Sequence, residues 1–264
     1  MFRVMTLNIW NLAGPWRDRR QEIVAWINRL EPDAICLQEV MDDGTRSTAG
    51  WLAEHADGEW HQVFGGSSVR WAPEQRFGNS VLTREPITDS ASYELPYDED
   101  ATDTHRVVVH ARAGGIDLFS THLAWRYEVG ALRERQVAAI DRIITERADP
   151  ASPLPPILAG DFNAEPDSTE IRFLSGLASI DGHSTYYQDA WRVAGAAGPG
   201  WTWDNRDPFA AAEHEPDRRI DYVFVGWRRD SGAGRVESGR VICDRALTGT
   251  FASDHFGVVA DIAT

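Results

Sequence analysis

The chain has 264 residues, of which 42% are hydrophobic, 10% aromatic and 25% charged, and these proportions exclude disordered, collagen-like and small disulfide-scaffolded proteins. The 41 acidic residues outnumber the 26 basic ones, all of which are arginine, and the formal net charge is −15. The absence of lysine excludes a lysine Schiff base and a lysine-dependent phosphate loop. The acidic balance disfavours a protein that coats nucleic acid by bulk electrostatics.

The first half of the chain predicts a βαβ opening followed by short strands. Alternation over residues 2–8 indicates a strand, helical spacing of apolar residues indicates a helix over 17–30, and residues 34–40 are typical of a buried strand. A second helical stretch is predicted near residues 51–55. Further strands are predicted at residues 60–64, 80–84, 106–112 and 116–121. We therefore expect a largely antiparallel middle section.

The second half predicts one long helix and several short elements. Residues 129–147 place apolar side chains on one helical face, and a group of prolines from position 150 onward stops the helix. The elements predicted after it are strands at residues 157–159, 220–225 and 256–262 and a helix at 168–177. No repeat, low-complexity tract or clear linker interrupts the pattern, so we expect a single domain over residues 1–264.

The cellular setting is predicted from what the chain lacks. No basic segment followed by a long apolar stretch comes after Met1, and no later apolar run approaches membrane-spanning length. These features favour a cytoplasmic monomer without a transmembrane segment, the alternative being a secreted protein that lacks its leader. Cys36 and Cys243 are predicted to be buried apolar residues and not a disulfide.

Polar side chains stand at the ends of the predicted strands. Because a strand delivers its terminal side chain to the rim of a sheet, these positions are candidates for a functional site. Each residue alone also has an ordinary explanation as a turn former, a helix cap or a hydrogen-bonded histidine. Together they supply hard oxygen ligands for Mg²⁺ or Mn²⁺ and groups for acid/base chemistry. The residues are Asn8, Glu39, His122, Asp161, Asp221, Asp254 and His255.

Six short blocks in chain order resemble the motifs of the endonuclease/exonuclease/phosphatase superfamily, which includes deoxyribonuclease I, abasic-site endonucleases, neutral sphingomyelinases and inositol polyphosphate phosphatases. The blocks are Thr6-Leu7-Asn8, Leu37-Gln38-Glu39-Val40, Ser120-Thr121-His122-Leu123, Gly160-Asp161-Phe162-Asn163, Arg219-Ile220-Asp221-Tyr222 and Ser253-Asp254-His255. The resemblance covers residues 6 to 255. It implies an α/β fold, a four-layer sandwich of two mixed β-sheets flanked by helices, with the site at one edge of the sheets.

The resemblance also implies a metal cofactor. By analogy with the family, Glu39 is the principal ligand, and Asn8 and Asp254 complete or support the metal sphere. Water and a substrate phosphate would fill the remaining positions, which suits Mg²⁺, with Mn²⁺ as the alternative.

The same resemblance assigns roles in phosphoric ester hydrolysis. Asp161 would orient or deprotonate the attacking water, and Asn163 would donate its amide to a phosphate oxygen. His255 would face the scissile phosphate, oriented by Asp221. His122 occupies a position where some members place a histidine acid/base and others a tyrosine.

One position departs from the family pattern. Deoxyribonuclease-like members support the histidine that corresponds to His122 with a glutamate, and this sequence has Asn79 there. An amide can orient an imidazole but cannot stabilise its charged form. We therefore expect His122 to bind phosphate more than to transfer protons.

Substrate contacts are predicted from arginine and tryptophan. Arg106 and Arg126 are candidate phosphate clamps, because a guanidinium matches two phosphate oxygens; each could instead form a surface ion pair. Trp203, with Trp125 and Trp201, lies in or near predicted rim loops, where core packing and substrate stacking are equal alternatives.

The predicted function is a divalent-metal-dependent hydrolase of phosphoric esters, acting as a phosphodiesterase on a small or lipid-like substrate. The first alternative is a DNA or RNA nuclease. It is less favoured because a nuclease needs a basic groove, and the arginines of this chain are scattered among a larger number of acids. The second is a catalytically silent binding module, which would require one of the core residues to be missing.

Overall fold

Two six-stranded β-sheets organise the chain. The computed structural model describes residues 1–67, 74–99 and 105–264, and within these ranges the chain forms twelve strands and six α-helices. The strands are β1 (Phe2–Asn8), β2 (Ala34–Asp42), β3 (His61–Gly66), β4 (Arg76–Thr83), β5 (Ile87–Glu94), β6 (Val107–Ala113), β7 (Ile116–His122), β8 (Ile157–Asp161), β9 (Gln188–Asp189), β10 (Asp221–Val225), β11 (Val236–Ile242) and β12 (Gly257–Ile262). The helices are α1 (Trp16–Leu30), α2 (Thr48–His55), α3 (Gly130–Arg147), α4 (Thr169–Leu174), α5 (Ala190–Ala194) and α6 (Pro208–Ala211).

Each sheet has one parallel pair at its centre. The first sheet has the order β11-β12-β1-β2-β4-β3, and the second has the order β5-β6-β7-β8-β10-β9. The pairs β1/β2 and β7/β8 are parallel, whereas their neighbours β12, β4, β6 and β10 pair with them in antiparallel fashion. Both sheets are therefore mixed, which confirms the predicted fold class.

Three apolar layers hold the sandwich together. The inner faces of both sheets meet in one buried cluster that includes Val4, Cys36 and Val223. The helices α1 and α2 pack on the outer face of the first sheet, and α3 and α4 pack on the outer face of the second. Along β1, Val4 faces the inner cluster and Met5 the outer one, so both faces of the strand are buried.

The structure adds elements that the sequence pattern did not predict. The strands β5, β9 and β11 and the short helices α5 and α6 were not expected, and the helix predicted over residues 168–177 ends at Leu174. Both β5 and β11 are edge strands; the residues of β5 alternate between half-buried and exposed positions, and β11 has exposed residues at Glu237 and Arg240.

The cysteine prediction is confirmed. Cys36 and Cys243 are buried free thiols that belong to different apolar clusters. Among the described residues, no helix is long and apolar enough to cross a membrane.

Candidate active site

The topology brings the predicted polar residues to one edge of the sandwich. β1 of the first sheet ends there with Asn8, and the parallel strands β7 and β8 of the second sheet end there with the register partners His122 and Asp161. Because β10 runs antiparallel to β8, its first residue, Asp221, lies opposite Asp161. The segment just before β12 carries His255 to the same edge, since β12 runs antiparallel to β1.

A β-bulge directs Glu39 toward this edge. The pairing of β2 with β4 shifts register so that Gln38 and Glu39 together lie opposite the single residue Asn79. Glu39 has a φ of 57°, a left-handed conformation that is costly for a residue with a side chain. Its carboxylate accepts hydrogen bonds from Nδ2 of Asn8 at 3.3 Å and Nδ2 of Asn11 at 2.8 Å. The bulge therefore fixes the direction of a strained acidic side chain, a use common beside active sites.

Asp161 lies at the centre of the cluster. Its Oδ2 accepts a hydrogen bond from Nδ2 of Asn8 at 3.0 Å and lies 3.4 Å from Nε2 of His122 and 3.8 Å from Nε2 of His255. Its Oδ1 accepts from the backbone N–H of Asn163 at 2.9 Å. Burial and the charge of Asp221 raise the pKa of Asp161 to about 6. Such a carboxyl group can hold or accept a proton near neutral pH.

His255 and Asp221 form a buried pair. Nδ1 of His255 donates to Oδ2 of Asp221 over 2.9 Å. Burial lowers the pKa of His255, but the carboxylates of Asp221 and Asp161 outweigh burial and raise the pKa to about 10. His255 is therefore an imidazolium at neutral pH, and its Nε2 faces Asp161.

His122, in contrast to His255, is uncharged. Burial, together with the charges of Arg106 and His255, lowers the pKa of His122 well below its ordinary value. Its Nδ1 is buried and, among the described residues, has no hydrogen-bond partner. Asn79 does not orient this ring, because its amide donates instead to the carbonyl oxygen of Val107 at 2.9 Å. His122 is thus a neutral imidazole.

A buried arginine, Arg19, lies near the carboxylates of Glu39 and Asp254. The sequence pattern did not reveal it. Arg19 is 0% exposed and donates to the carbonyl oxygens of Ile9, Ala13 and Ala252, which fixes the loops on both sides of the site. Burial lowers the pKa of Arg19 to about 10, so it stays charged. Burial and the charge of Glu39 raise the pKa of the nearby Asp254 to about 7.

The donor set fits a hard divalent cation in part. Glu39 and Asp254 offer carboxylate oxygens, and the charge of Glu39 raises the pKa of Asp254, so a cation between them would relieve their repulsion. Asn8 instead turns Nδ2 toward the carboxylates, and its Oδ1 accepts from the backbone N–H of Trp10 at 3.0 Å. Its amide would have to rotate to offer oxygen. A second possible set is Asp161, Asp221 and His255, whose ligand atoms all lie within 4.8 Å of one another.

A cleft of about 560 Å³ opens over these residues. Arg106 and Asn163 line it, as do most of the predicted site residues, while Asp221 lies behind His255. Arg126 is not among the lining residues; its guanidinium lies 3.5 Å from Glu128. The predicted residues on the cleft wall are Asn8, Glu39, Arg106, His122, Asp161, Asn163, Trp203, Asp254 and His255.

The three rim tryptophans differ in their surroundings. Trp203 is 7% exposed, belongs to a small apolar cluster and packs edge-on against the ring of His255, with centroids 5.0 Å apart. Trp125 is 47% exposed and lines the cleft, whereas Trp201 is exposed but is not a lining residue. Burial favours the packing alternative for Trp203, which also lines the cleft, and exposure favours substrate contact for Trp125.

Several cleft residues were missed by the sequence reasoning. They include Trp10, Asn11, Glu213, Glu215 and Arg218. Arg218 directly precedes the block Arg219-Ile220-Asp221-Tyr222, and its position in the chain was the one available signal. The others lie in loops whose course the sequence pattern does not define.

The chain is similar to known proteins over most of its length. A model of the Endonuclease/Exonuclease/phosphatase family matches residues 5–255. The protein angel of Drosophila melanogaster is 24% identical over 215 residues, which cover 67% of this chain and 57% of that protein. The chain thus spans a little over half the length of this curated relative.

Solved structures share the architecture. An endonuclease/exonuclease/phosphatase from Beutenbergia cavernae is 28% identical with a TM-score of 0.73, over 99% of this chain and 71% of that one. The human Nocturnin catalytic domain, solved with a bound sulfate anion, is 22% identical with a TM-score of 0.71, over 99% and 94% of the two chains. Truncated TDP2 from Caenorhabditis elegans is 18% identical with a TM-score of 0.71, over 100% and 98%. At these identities, the similarity to Nocturnin and TDP2 shows a shared fold only.

Proposed function

This chain belongs to the Endonuclease/Exonuclease/phosphatase family, and from that premise we propose that it is a divalent-metal-dependent phosphodiesterase acting on a small or lipid-like substrate. The observation that carries the proposal is the arrangement around Oδ2 of Asp161, where Asn8, His122 and His255 converge within 4 Å. Residues from position 8 to position 255 meet in this one cleft, which supports a single domain over residues 1–264.

Asp161 serves as the group that orients and deprotonates the attacking water. Its Oδ1 is held by the backbone N–H of Asn163, while Oδ2 faces the two imidazoles. A carboxyl group whose pKa is raised to about 6 by burial and Asp221 is a better proton acceptor than an ordinary aspartate. Asn163 lies on the cleft wall; its Nδ2 donates one N–H to the carbonyl oxygen of Leu123 at 3.2 Å, and the second N–H can donate to a phosphate oxygen.

His255 supplies positive charge beside the scissile phosphate. Because Asp221 holds Nδ1, the N–H at Nε2 is free to donate toward the cleft. Arg106 and the neutral His122 stand on the same wall and can contact the other phosphate oxygens. Electrostatic stabilisation of this kind is commonly the largest single contribution to catalysis.

The metal would be held by Glu39 and Asp254, with Asn8 supporting it after rotation of its amide. A bound Mg²⁺ or Mn²⁺ would neutralise charge on the phosphate and favour attack at phosphorus. Glu39 is already aimed by the bulge and by its contacts with Asn8 and Asn11, so little side-chain ordering would accompany binding.

The negative charge of the protein favours substrates that carry little negative charge. A net charge of −15 repels polyanions, and the few arginines of the cleft stand among a larger number of acids. A small or lipid-like diester brings less negative charge to this site than duplex DNA does. We therefore favour such substrates over nucleic acid.

The test is a turnover panel with Mg²⁺ and with Mn²⁺, run on wild type and on Asp161→Asn. The substrates are bis-p-nitrophenyl phosphate, p-nitrophenyl phosphate, sphingomyelin, inositol phosphates, plasmid DNA and single-stranded RNA. We expect metal-dependent turnover of a diester that Asp161→Asn abolishes. Efficient nicking of plasmid DNA with little activity on the small diesters would replace the proposal with a nuclease, and no turnover of any ester would refute it.

A further inference from the structure

One flank of the cleft is built by two loops that are distant in sequence. Trp125 follows β7, whereas Glu215 and Arg218 belong to the loop that precedes β10. Tyr127 joins the loops: its hydroxyl donates to Glu215 at 3.1 Å, and its ring centroid lies 4.6 Å from the guanidinium carbon of Arg218. We call the cleft-lining residues Trp125, Glu213, Glu215 and Arg218 the recognition flank.

Trp125 exposes a large flat surface inside the cleft. It is 47% exposed and lines the cleft. The guanidinium carbon of Arg126 lies 5.1 Å from its ring centroid, which holds the indole in place. An indole held in this way loses little conformational freedom when a second ring stacks on it.

Arg218 places a fixed cation beside that surface. It is 6% exposed, forms an ion pair with Glu215 and packs over the rings of Tyr127 and Trp203. Its backbone is paired with Trp203 in a β-bridge, so the side chain starts from a rigid position. The carboxylates of Glu213 and Glu215 add hydrogen-bond acceptors to the same flank.

The composition of the cleft argues against an aliphatic occupant. Among the described residues that line it, Ile220 is the one aliphatic side chain, and the apolar surface otherwise comes from aromatic rings. Rings and carboxylates suit a flat group that carries hydrogen-bond donors, since such a group can stack and donate at once. An acyl chain would press hydrocarbon against the Glu213 carboxylate and the Glu215–Arg218 ion pair and would displace their water without offering hydrogen bonds in return.

We infer that the recognition flank binds the ester group of the substrate and that this group is a flat ring with hydrogen-bond donors, such as a nucleoside, and not an acyl chain. The inference rests on the proposed function, because it takes the group to be attached to the phosphate beside His255. It narrows the small or lipid-like class to small substrates that carry a ring.

The test compares two inert sulfate monoesters that share one negative charge. Calorimetric titration measures the affinity of adenosine 5′-sulfate and of hexyl sulfate for wild type, Trp125→Ala, Trp125→Phe and Trp227→Ala. Trp227 is a matched control, since it is 66% exposed and does not line this cleft. Wild type and Trp227→Ala should bind adenosine 5′-sulfate at least tenfold more tightly than hexyl sulfate. Trp125→Ala should lose most of that preference, and Trp125→Phe should keep much of it.

Two results would overturn the inference. One is hexyl sulfate binding as tightly as adenosine 5′-sulfate, and the other is an unchanged preference in Trp125→Ala. Turnover of bis-p-nitrophenyl phosphate is measured on the same samples. If wild type prefers adenosine 5′-sulfate but does not hydrolyse bis-p-nitrophenyl phosphate, the proposed phosphodiesterase activity is refuted and the ring subsite is not. If wild type hydrolyses the diester but shows no such preference, only the ring subsite is refuted.

Discussion

Asp221 and His255 are joined by a 2.9 Å hydrogen bond between Oδ2 and Nδ1, and their side chains are 0% and 6% exposed. The other carboxylate oxygen of Asp221 is buried and has no hydrogen-bond partner among the described residues. A buried, half-satisfied carboxylate costs folding free energy, so its presence indicates a role in holding the imidazolium.

Replacing Asp221 with asparagine should therefore lower activity without lowering stability. An amide oxygen can still accept from Nδ1, but it removes the charge that stabilises protonated His255. We expect kcat on bis-p-nitrophenyl phosphate to fall by about a hundredfold or more and the melting temperature to stay level or rise. Stopped assays and calorimetry on one preparation measure both. A large fall in melting temperature with full kcat would assign Asp221 to folding.

Glu39→Gln should weaken metal binding. The bulge aims this carboxylate at the site, and its neutral isostere keeps the shape while losing the charge that a divalent ion requires. Titration with Mn²⁺ should show an affinity at least tenfold lower, with turnover reduced in parallel. Glu54→Gln is the control, since Glu54 is an exposed acid paired with Arg46. Equal Mn²⁺ affinities in all three proteins would remove Glu39 from the metal site.

Asp161→Asn should separate chemistry from folding. The substitution keeps the size of the side chain and removes a charge that Asp221 opposes, so the free energy of unfolding at neutral pH should not decrease. We expect kcat to fall by roughly a hundredfold or more, the usual scale for a general base. Asp167→Asn, at an exposed position, serves as the comparison. Retained turnover in Asp161→Asn would contradict its role.

Trp203→Ala should depress stability and act alike on every substrate. The indole is 7% exposed and packs against His255, and loss of a buried tryptophan costs about 3 kcal/mol or more. Denaturant unfolding gives the first quantity, and relative kcat/KM over the substrate panel gives the second. A changed order of substrates with unaltered stability would make Trp203 a recognition residue instead.

The acid stability of the protein should depend on Asp117. Burial would raise the pKa of Asp117, but hydrogen bonds from His110 at 2.8 Å and Arg112 at 2.9 Å outweigh it and lower the pKa below the ordinary value. A depressed carboxyl pKa contributes stability that is present above the unfolded pKa, near 4, and is lost as pH falls through the folded pKa.

Asp117→Asn should thus be less stable than wild type by about 2 kcal/mol at pH 7, and the difference should shrink below pH 4. Urea unfolding at pH 7, 5 and 3 measures it. Asp89→Asn in β5 of the same sheet provides the matched control, because Asp89 is 43% exposed and its pair with Arg147 should contribute less than 1 kcal/mol. A difference that stayed constant with pH would contradict the linkage.

Strands with two buried faces were predictable, whereas three of the four edge strands, β5, β9 and β11, were not; the edge strand β3 was predicted at residues 60–64. β1 and β2 place apolar residues on both faces because helices cover one face and the second sheet covers the other. β5 alternates between half-buried and exposed residues, and its sequence ITDSASYE has few strongly apolar positions. β5 is a strand because its backbone pairs with that of β6, and its own composition gives little indication of this.

The site shows the same division. Asn8, Asp161 and Asp221 end or begin strands, so their convergence follows from topology once the resemblance supplies it. Arg218 reaches the cleft through a β-bridge to Trp203, a pairing across a loop that carries no periodic signal. For Arg126 the sequence left phosphate contact and a surface ion pair as alternatives; its guanidinium lies 3.5 Å from Glu128 and packs on Trp125, just before a 3₁₀ turn at Tyr127–Val129.

The position of β12 between β11 and β1 has a consequence for how activity arises during synthesis. Residues near position 260 must insert beside a strand made of residues 2–8, which is a contact of very long sequence separation and a slow one to form. Until that insertion, Asp254 and His255 have no fixed place beside Asn8. A chain that has emerged from the ribosome only as far as β10 therefore lacks Asp254 and His255, and the candidate site is complete only once the segment before β12 lies beside β1.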